Sequence, residues 1–110
     1  MPLVNTEPLA GEVWLVDFGL VAKQRPVLVL AYPQPEDARA LVVVVPLTSQ
    51  IRNARGEVFI GKPRWLSKPS AVNVQGFASI DRHALMRKLG RLTTEQLSDV
   101  KDAIRELLDL

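Results

Sequence analysis

Ala40-Leu41-Val42-Val43-Val44-Val45 is followed at once by Pro46, and this run limits the folds open to the chain more than any other segment. It is too short for a helix that buries one face, and its β-branching favours extended backbone. Since both faces are apolar, it is expected to be a central strand covered on both sides, and proline is expected to end its ladder. Shorter runs of similar character flank it. Residues 12–18 carry valine, tryptophan and phenylalanine and stop at Gly19, and residues 25–32 follow after a short linker. Pro33 and Pro35 then mark a loop. Residues 57–60 between two glycines predict a strand leaving a turn, and residues 61–70 a loop. Residues 70–74 and 77–80 are expected to form one further strand, with Gly76 at a bulge or a close backbone approach. Asp81 is placed to cap a single helical turn, after which residues 87–92 form a brief strand.

The C-terminal segment reads differently. Thr93 and Gln96 make a capping-box pattern ahead of Leu97, Val100, Ile104, Leu107 and Leu108, an apolar stripe at helical spacing. Burying those five side chains would contribute roughly 10 kcal/mol before entropy, so the helix must pack on the strands. At 110 residues the chain has material for one core, and no internal repeat or composition break divides it, so residues 1–110 are expected to form a single domain. The fold class is therefore mostly β (α+β): a small, strongly bent sheet or barrel with a C-terminal α-helix over one opening.

Composition excludes several kinds of chemistry. With no cysteine there are no disulfides and no thiolate metal sites, which fits a reducing compartment. No stretch approaches the length of a membrane span and the N-terminus lacks a secretory pattern, so a cytoplasmic location and no membrane partner are expected. His83 is the only histidine and reads as a surface residue. No cluster at metal-ligand spacing, nucleophile elbow, phosphate-binding glycine loop or dinucleotide fingerprint occurs; neither metal nor cofactor is expected.

The net charge of +2 conceals an asymmetry. Residues 52–92 hold nine Lys/Arg against two Asp/Glu, while the segments on either side are acidic overall. This central block could form a phosphate-attracting face or an ordinary solvated surface. Within it, Lys62, Arg64, Trp65 and Lys68 interleave cations with an aromatic, a pattern that suits base stacking and equally suits a tryptophan anchoring a loop; Phe77 has the same ambiguity.

Two polar endings remain, Lys23-Gln24-Arg25-Pro26 opening one strand and Pro46-Leu47-Thr48-Ser49-Gln50 closing another. On spacing alone Arg25 reads as a solvated strand start and Thr48 as a turn cap. Taken together with Gly11-Glu12-Val13-Trp14-Leu15-Val16-Asp17, Arg25-Pro26-Val27-Leu28-Val29-Leu30 and Leu89-Gly90-Arg91-Leu92-Thr93, in that order along the chain, they resemble the MazF/PemK family of toxin endoribonucleases. The resemblance implies an SH3-like β-barrel, a homodimer, a single-stranded RNA substrate and a cognate antitoxin that occupies the RNA groove. It also implies metal-independent transesterification to 2′,3′-cyclic phosphate and 5′-hydroxyl ends.

By that resemblance Arg25 and Thr48 are the catalytic pair. A guanidinium offers a rigid fork of donors suited to phosphate and is a poor acid or base, so its expected role is electrostatic. The threonine hydroxyl is expected to bond the phosphate or the attacking oxygen. Lys23, Gln24, Ser49 and Gln50 are expected to follow the RNA; Arg52, Asn53 and Arg55 could track its phosphates or equally be ordinary polar loop residues, and Asn73 and Gln75 could read base edges. Two departures stand out. The linker from Gly19 to Gln24 is shorter than the family's usual glycine-rich loop, and Gln75-Gly76-Phe77-Ala78 replaces an acidic-Gln-x-Arg stretch. They motivate a competing expectation, a catalytically weakened barrel kept as an RNA- or protein-binding module.

Overall fold

The computed structural model describes residues 7–19 and 24–110. Among these residues seven antiparallel strands precede one helix: β1 Glu12–Val16, β2 Arg25–Ala31, β3 Leu41–Thr48, β4 Glu57–Gly61, β5 Ser70–Asn73, β6 Ala78–Asp81, β7 Leu85–Arg91 and α1 Thr94–Leu108. The hydrogen-bonded path runs β4-β5-β3-β2-β1-β7, with β6 also paired to β3. Class and helix agree with expectation. The barrel is incomplete, however, because the path ends at β4 and β7 and these two do not pair.

β3 is the hub of the sheet. One edge pairs with β2 from Val27↔Pro46 to Ala31↔Val43. The other edge is shared: β6 takes Leu41 to Val44, and β5 takes Leu47 and Thr48. The strand therefore continues through Pro46, contrary to the expectation that proline would stop it. Proline is tolerated because neither Val45 nor Pro46 has a strand partner on that second edge, where the partner changes from β6 to β5. A 3-10 turn at Val74–Gly76 fills the gap and divides the expected single strand over residues 70–80 into β5 and β6. Gly76 makes the close approach: a Cβ there would lie 2.4 Å from Pro46 Cγ.

Both faces of the sheet are covered at Val42, Val44 and Val45, but Leu41 stays 41% exposed and Val43 only half-buried beside the Phe77 groove, so the run is not buried on both faces along its whole length as expected. On one side Val13, Leu28, Val45, Leu47, Ile60, Val72, Val74 and Leu92 pack around Val100 of α1, with Leu97, Ala103, Ile104 and Leu107 closing over them. Leu108 departs from the expected stripe and remains 49% exposed, since the helix ends there in a left-handed residue, Asp109. The opposite face buries Val16, Val27, Val29, Val42 and Val44 under Trp14, Tyr32, Ile80, Ala84 and Leu85.

Local signals set the ends of the elements. Thr93 Oγ1 accepts from Gln96 N at 3.1 Å, while Gln96 Oε1 accepts from Thr93 N at 3.0 Å, so the capping box is formed as read. Asp81 Oδ1 accepts from His83 N at 2.8 Å and caps the 3-10 turn Arg82–Ala84. His83 lies on the surface, with Nδ1 2.9 Å from the same oxygen. The backbone and ring bonds from His83 hold the Asp81 carboxyl below its usual range.

Glu12 was not singled out by the sequence. It is 5% exposed, and its Oε1 accepts from Leu9 N at 2.9 Å and Trp14 Nε1 at 3.1 Å, while Oε2 lies 2.9 Å from Lys88 Nζ. Burial alone would push this carboxyl up. The bonds from Leu9, Lys88 and Trp14 more than offset it and hold the group below its ordinary value of 4.5.

Candidate active site

Arg25 opens β2 and Thr48 closes β3, and their proximity follows from strand register. The β2–β3 pairing runs down to Val27↔Pro46; two residues further on, the same register sets Arg25 across from Thr48. Residues two apart on a strand share a face, so the side chains project to the same side. Both line a cavity of about 400 Å³, together with Pro26, Leu47, Ser49 and Gln50. The far wall is the loop between β4 and β5, through Leu66, Ser67 and Lys68, with Ser70 at its end.

That loop is held from below. Trp65 lies so close to Gly90 that a Cβ at residue 90 would fall 2.4 Å from the indole, and its ring packs on the helix-side core. Trp65 therefore anchors the loop and lines neither polar cavity described in this section. Ser70 is buried and its hydroxyl donates to the Lys68 carbonyl at 3.1 Å, fixing the return into β5. Lys68 is thus brought opposite Arg25. Among the described residues two cations and no carboxylate line this cavity, which suits it to an anion about the size of a phosphodiester.

Thr48 caps a turn as well as facing the cavity. Its Oγ1 accepts from Gln50 N at 3.1 Å, which orients the hydroxyl and leaves its proton free to donate. Ser49 and Gln50 are exposed on the same rim.

A second cavity, of about 230 Å³, adjoins the first and shares Thr48 and Gln50 with it. Its other lining residues are Arg52, Ala54, Arg55, Glu57, Asn73 and Gln75. Glu57 Oε1 accepts from Arg52 N at 2.9 Å and from Ala54 N at 3.4 Å, tying down the turn. Asn73 stands directly across from Glu57, and its Oδ1 accepts from Gln75 N at 3.2 Å. Arg55 bonds Glu106 of α1, Nε to Oε1 at 3.2 Å, and so is partly committed to the helix.

Of the residues singled out in the sequence, Arg25, Thr48, Ser49 and Gln50 meet in the first cavity, and Arg52, Asn73 and Gln75 join Thr48 and Gln50 in the second. Gln24 is exposed beside Arg25 but lines neither, and Asn53 occupies the turn with a left-handed φ of 53° and also lines neither. Lys23 lies outside the described residues. Phe77 is 43% exposed in an apolar groove with Leu30, Val43 and Ile104. Sequence reading did not place Leu66, Ser67, Ser70 or Glu57 at the site. The first three arrive from a loop distant in sequence, and only tertiary packing brings them there. Among the described residues no group of three or more His, Cys, Asp or Glu is placed to hold a metal ion, and no helix is long and apolar enough to cross a membrane.

Comparison with known proteins agrees with this fold. The chain is 29% identical over 105 residues to the probable endoribonuclease MazF5 of Mycobacterium tuberculosis, covering 93% of this chain and 94% of that one. Its fold is similar to that of the Mycobacterium tuberculosis toxin MazF-mt6, with a TM-score of 0.76, 27% identity, and 90% and 97% of the two chains covered. It is also similar to an endoribonuclease solved with its cognate antitoxin from a mycobacterial species, with a TM-score of 0.79, 26% identity, and 94% and 97% covered. The pattern of the PemK-like, MazF-like toxins of type II toxin-antitoxin systems matches residues 9–108, which include every strand, the helix and both cavities, and the chain belongs to that family.

Proposed function

We propose that this chain is the toxin of a toxin-antitoxin pair and an endoribonuclease that cuts single-stranded RNA by internal transesterification, with no metal ion. One observation carries the reading: Arg25 and Thr48 line one cavity with Lys68 and no carboxylate, beside a second polar cavity that continues the path. A phosphodiester in the first cavity would meet the guanidinium fork of Arg25 at its non-bridging oxygens, where charge grows in the transition state. The free hydroxyl proton of Thr48 donates to the same phosphoryl group, and Lys68 adds a second positive charge.

The 2′-hydroxyl loses its proton as its oxygen bonds to phosphorus. The 5′-oxygen of the next nucleotide leaves and takes up a proton, giving a 2′,3′-cyclic phosphate and a 5′-hydroxyl end. No carboxylate or imidazole lines the cavity, so its residues contribute position and charge while the protons exchange with water. Ser49, Gln50 and Arg52 hold the strand on either side, with Gln24 and Asn53 at the margin of the path. Family membership supports the partners of this reading: a second copy in a homodimer, a cognate antitoxin over the groove, and a cytoplasmic site of action with RNA as substrate.

The test is cleavage of a single-stranded RNA in EDTA. Products with cyclic-phosphate ends are expected, and Arg25→Ala should slow their formation by about 10²-fold or more. An Arg25→Ala protein that cuts at the original rate would remove Arg25 from the mechanism. Tight RNA binding with no cyclic-phosphate product would instead assign the fold to RNA recognition.

A further inference from the structure

We infer that the second cavity is a nucleobase subsite that selects guanine, with Glu57 as the residue that sets the choice. This inference rests on the endoribonuclease reading for its substrate and goes beyond it in naming the base. Thr48 and Gln50 line both cavities, so a base in the second belongs to a nucleotide adjoining the phosphate in the first. A volume of about 230 Å³ is enough for one base.

The hydrogen-bonding inventory of the walls decides which base. Glu57 uses Oε1 twice, for Arg52 N and Ala54 N, while Oε2 is left without a donor among the described residues. Cross-strand from it, Asn73 uses Oδ1 on Gln75 N and keeps its amide N–H groups. Arg52, whose side chain carries a fork of donors, lines the same cavity. An incoming base therefore meets a carboxyl acceptor flanked by donors.

Guanine alone shows two adjacent donors, N1–H and the N2 amine, on its pairing edge, and it adds O6 and N7 as acceptors. Adenine and cytosine each set a ring-nitrogen acceptor beside their one amine, and uracil flanks its single N–H with two carbonyls. Each of these would turn lone pairs toward the carboxylate. Arginine to guanine O6 and N7 is also the commonest specific base contact in the DNA major groove, and the same atoms are open on an unpaired guanine. Oε1 of Glu57 ties down the turn, and since a carboxylate beside an RNA path works against overall affinity, the remaining oxygen suits selection better than grip.

The experiment uses the full chain and short RNAs randomised around one fixed segment, with cut ends sequenced. Guanine is expected at one fixed position next to the cut, enriched about tenfold over other bases. Inosine at that position lacks the N2 amine and should lose most of the enrichment, a comparison made entirely with the unaltered protein. Glu57→Gln keeps an oxygen for the turn and replaces the free acceptor with a donor, so the preference for guanine should disappear. Cutting with no guanine preference, or a preference that survives both changes, overturns the inference and leaves the nuclease reading standing. If the protein cuts nothing, the nuclease reading fails, and uncleavable 2′-deoxy oligonucleotides decide the subsite by polarisation. Tighter binding of a guanine-containing strand that inosine or Glu57→Gln abolishes supports it, and equal binding of all bases overturns it.

Discussion

On the helix side of the sheet, Val100 of α1 closes over valines and leucines from the strands, and the seal is apolar throughout. On the other side Val16, Val27, Val29, Val42 and Val44 lie under Trp14, and the seal continues into a buried carboxylate, Glu12, which holds the Trp14 indole, the Leu9 amide and Lys88. The first closure depends on excluding water and is indifferent to protons. The second depends on a charge whose partners must all be present, so one face carries the protein's sensitivity to acid and the other does not.

That contrast can be broken most sharply at Glu12. Glu12→Ala strands the Leu9 N–H and the Trp14 N–H, and near neutral pH it should cost about 3 kcal/mol in denaturant unfolding. Lys88 is half exposed and relaxes into water, which keeps the loss from being larger. The folded carboxyl titrates below its ordinary value of 4.5, so its contribution is complete above that pH and is lost as pH falls through the lower folded value. The gap between Glu12→Ala and wild type should therefore narrow under acid. A gap that stayed constant from neutral to strongly acidic pH would mean that the carboxylate is not what seals this face.

Val100→Ala is the matching cut on the helix side. Removing two methyl groups from a fully buried site should cost about 2 kcal/mol, with no acid dependence of its own. Thr93→Ala loosens the helix at its start by about 1 kcal/mol through the lost cap. The smallest effect is expected at Arg55. Its pair with Glu106 is exposed on both sides, and Arg55→Ala should change stability by less than about 0.5 kcal/mol. Thermal or urea unfolding of these variants would rank them, and a large loss at Arg55 would show that the helix is held by charge as well as by its apolar face.

How much was legible in the sequence depends on how local each cause is. The capping box, the Asp81 turn and the strand over the valine run are readable because each is set by neighbours within a few residues. Arg25 and Thr48 were found through family resemblance, and strand register supplies the physical reason that they share a side. Pro46 misled because a proline inside a strand usually marks an end; here the second edge of β3 has no partner at that point. Glu12 looked like an ordinary strand residue, and only packing shows what surrounds it. The loop of Leu66, Ser67 and Lys68 reaches the site through Trp65 seated on Gly90, a contact with no local signature.

The unclosed sheet has a consequence for how copies of this protein meet in solution. β7 is the last strand on its side, so its outer edge has no strand partner among the described residues and would template another extended chain. Arg87 and Arg91 stand exposed along it, while Lys88 is neutralised by Glu12. Two such edges approaching one another would bring arginines together at separations within the ~10 Å screening length of dilute salt. Fibre-like growth through this strand is opposed by repulsion, and the protection weakens as ionic strength rises.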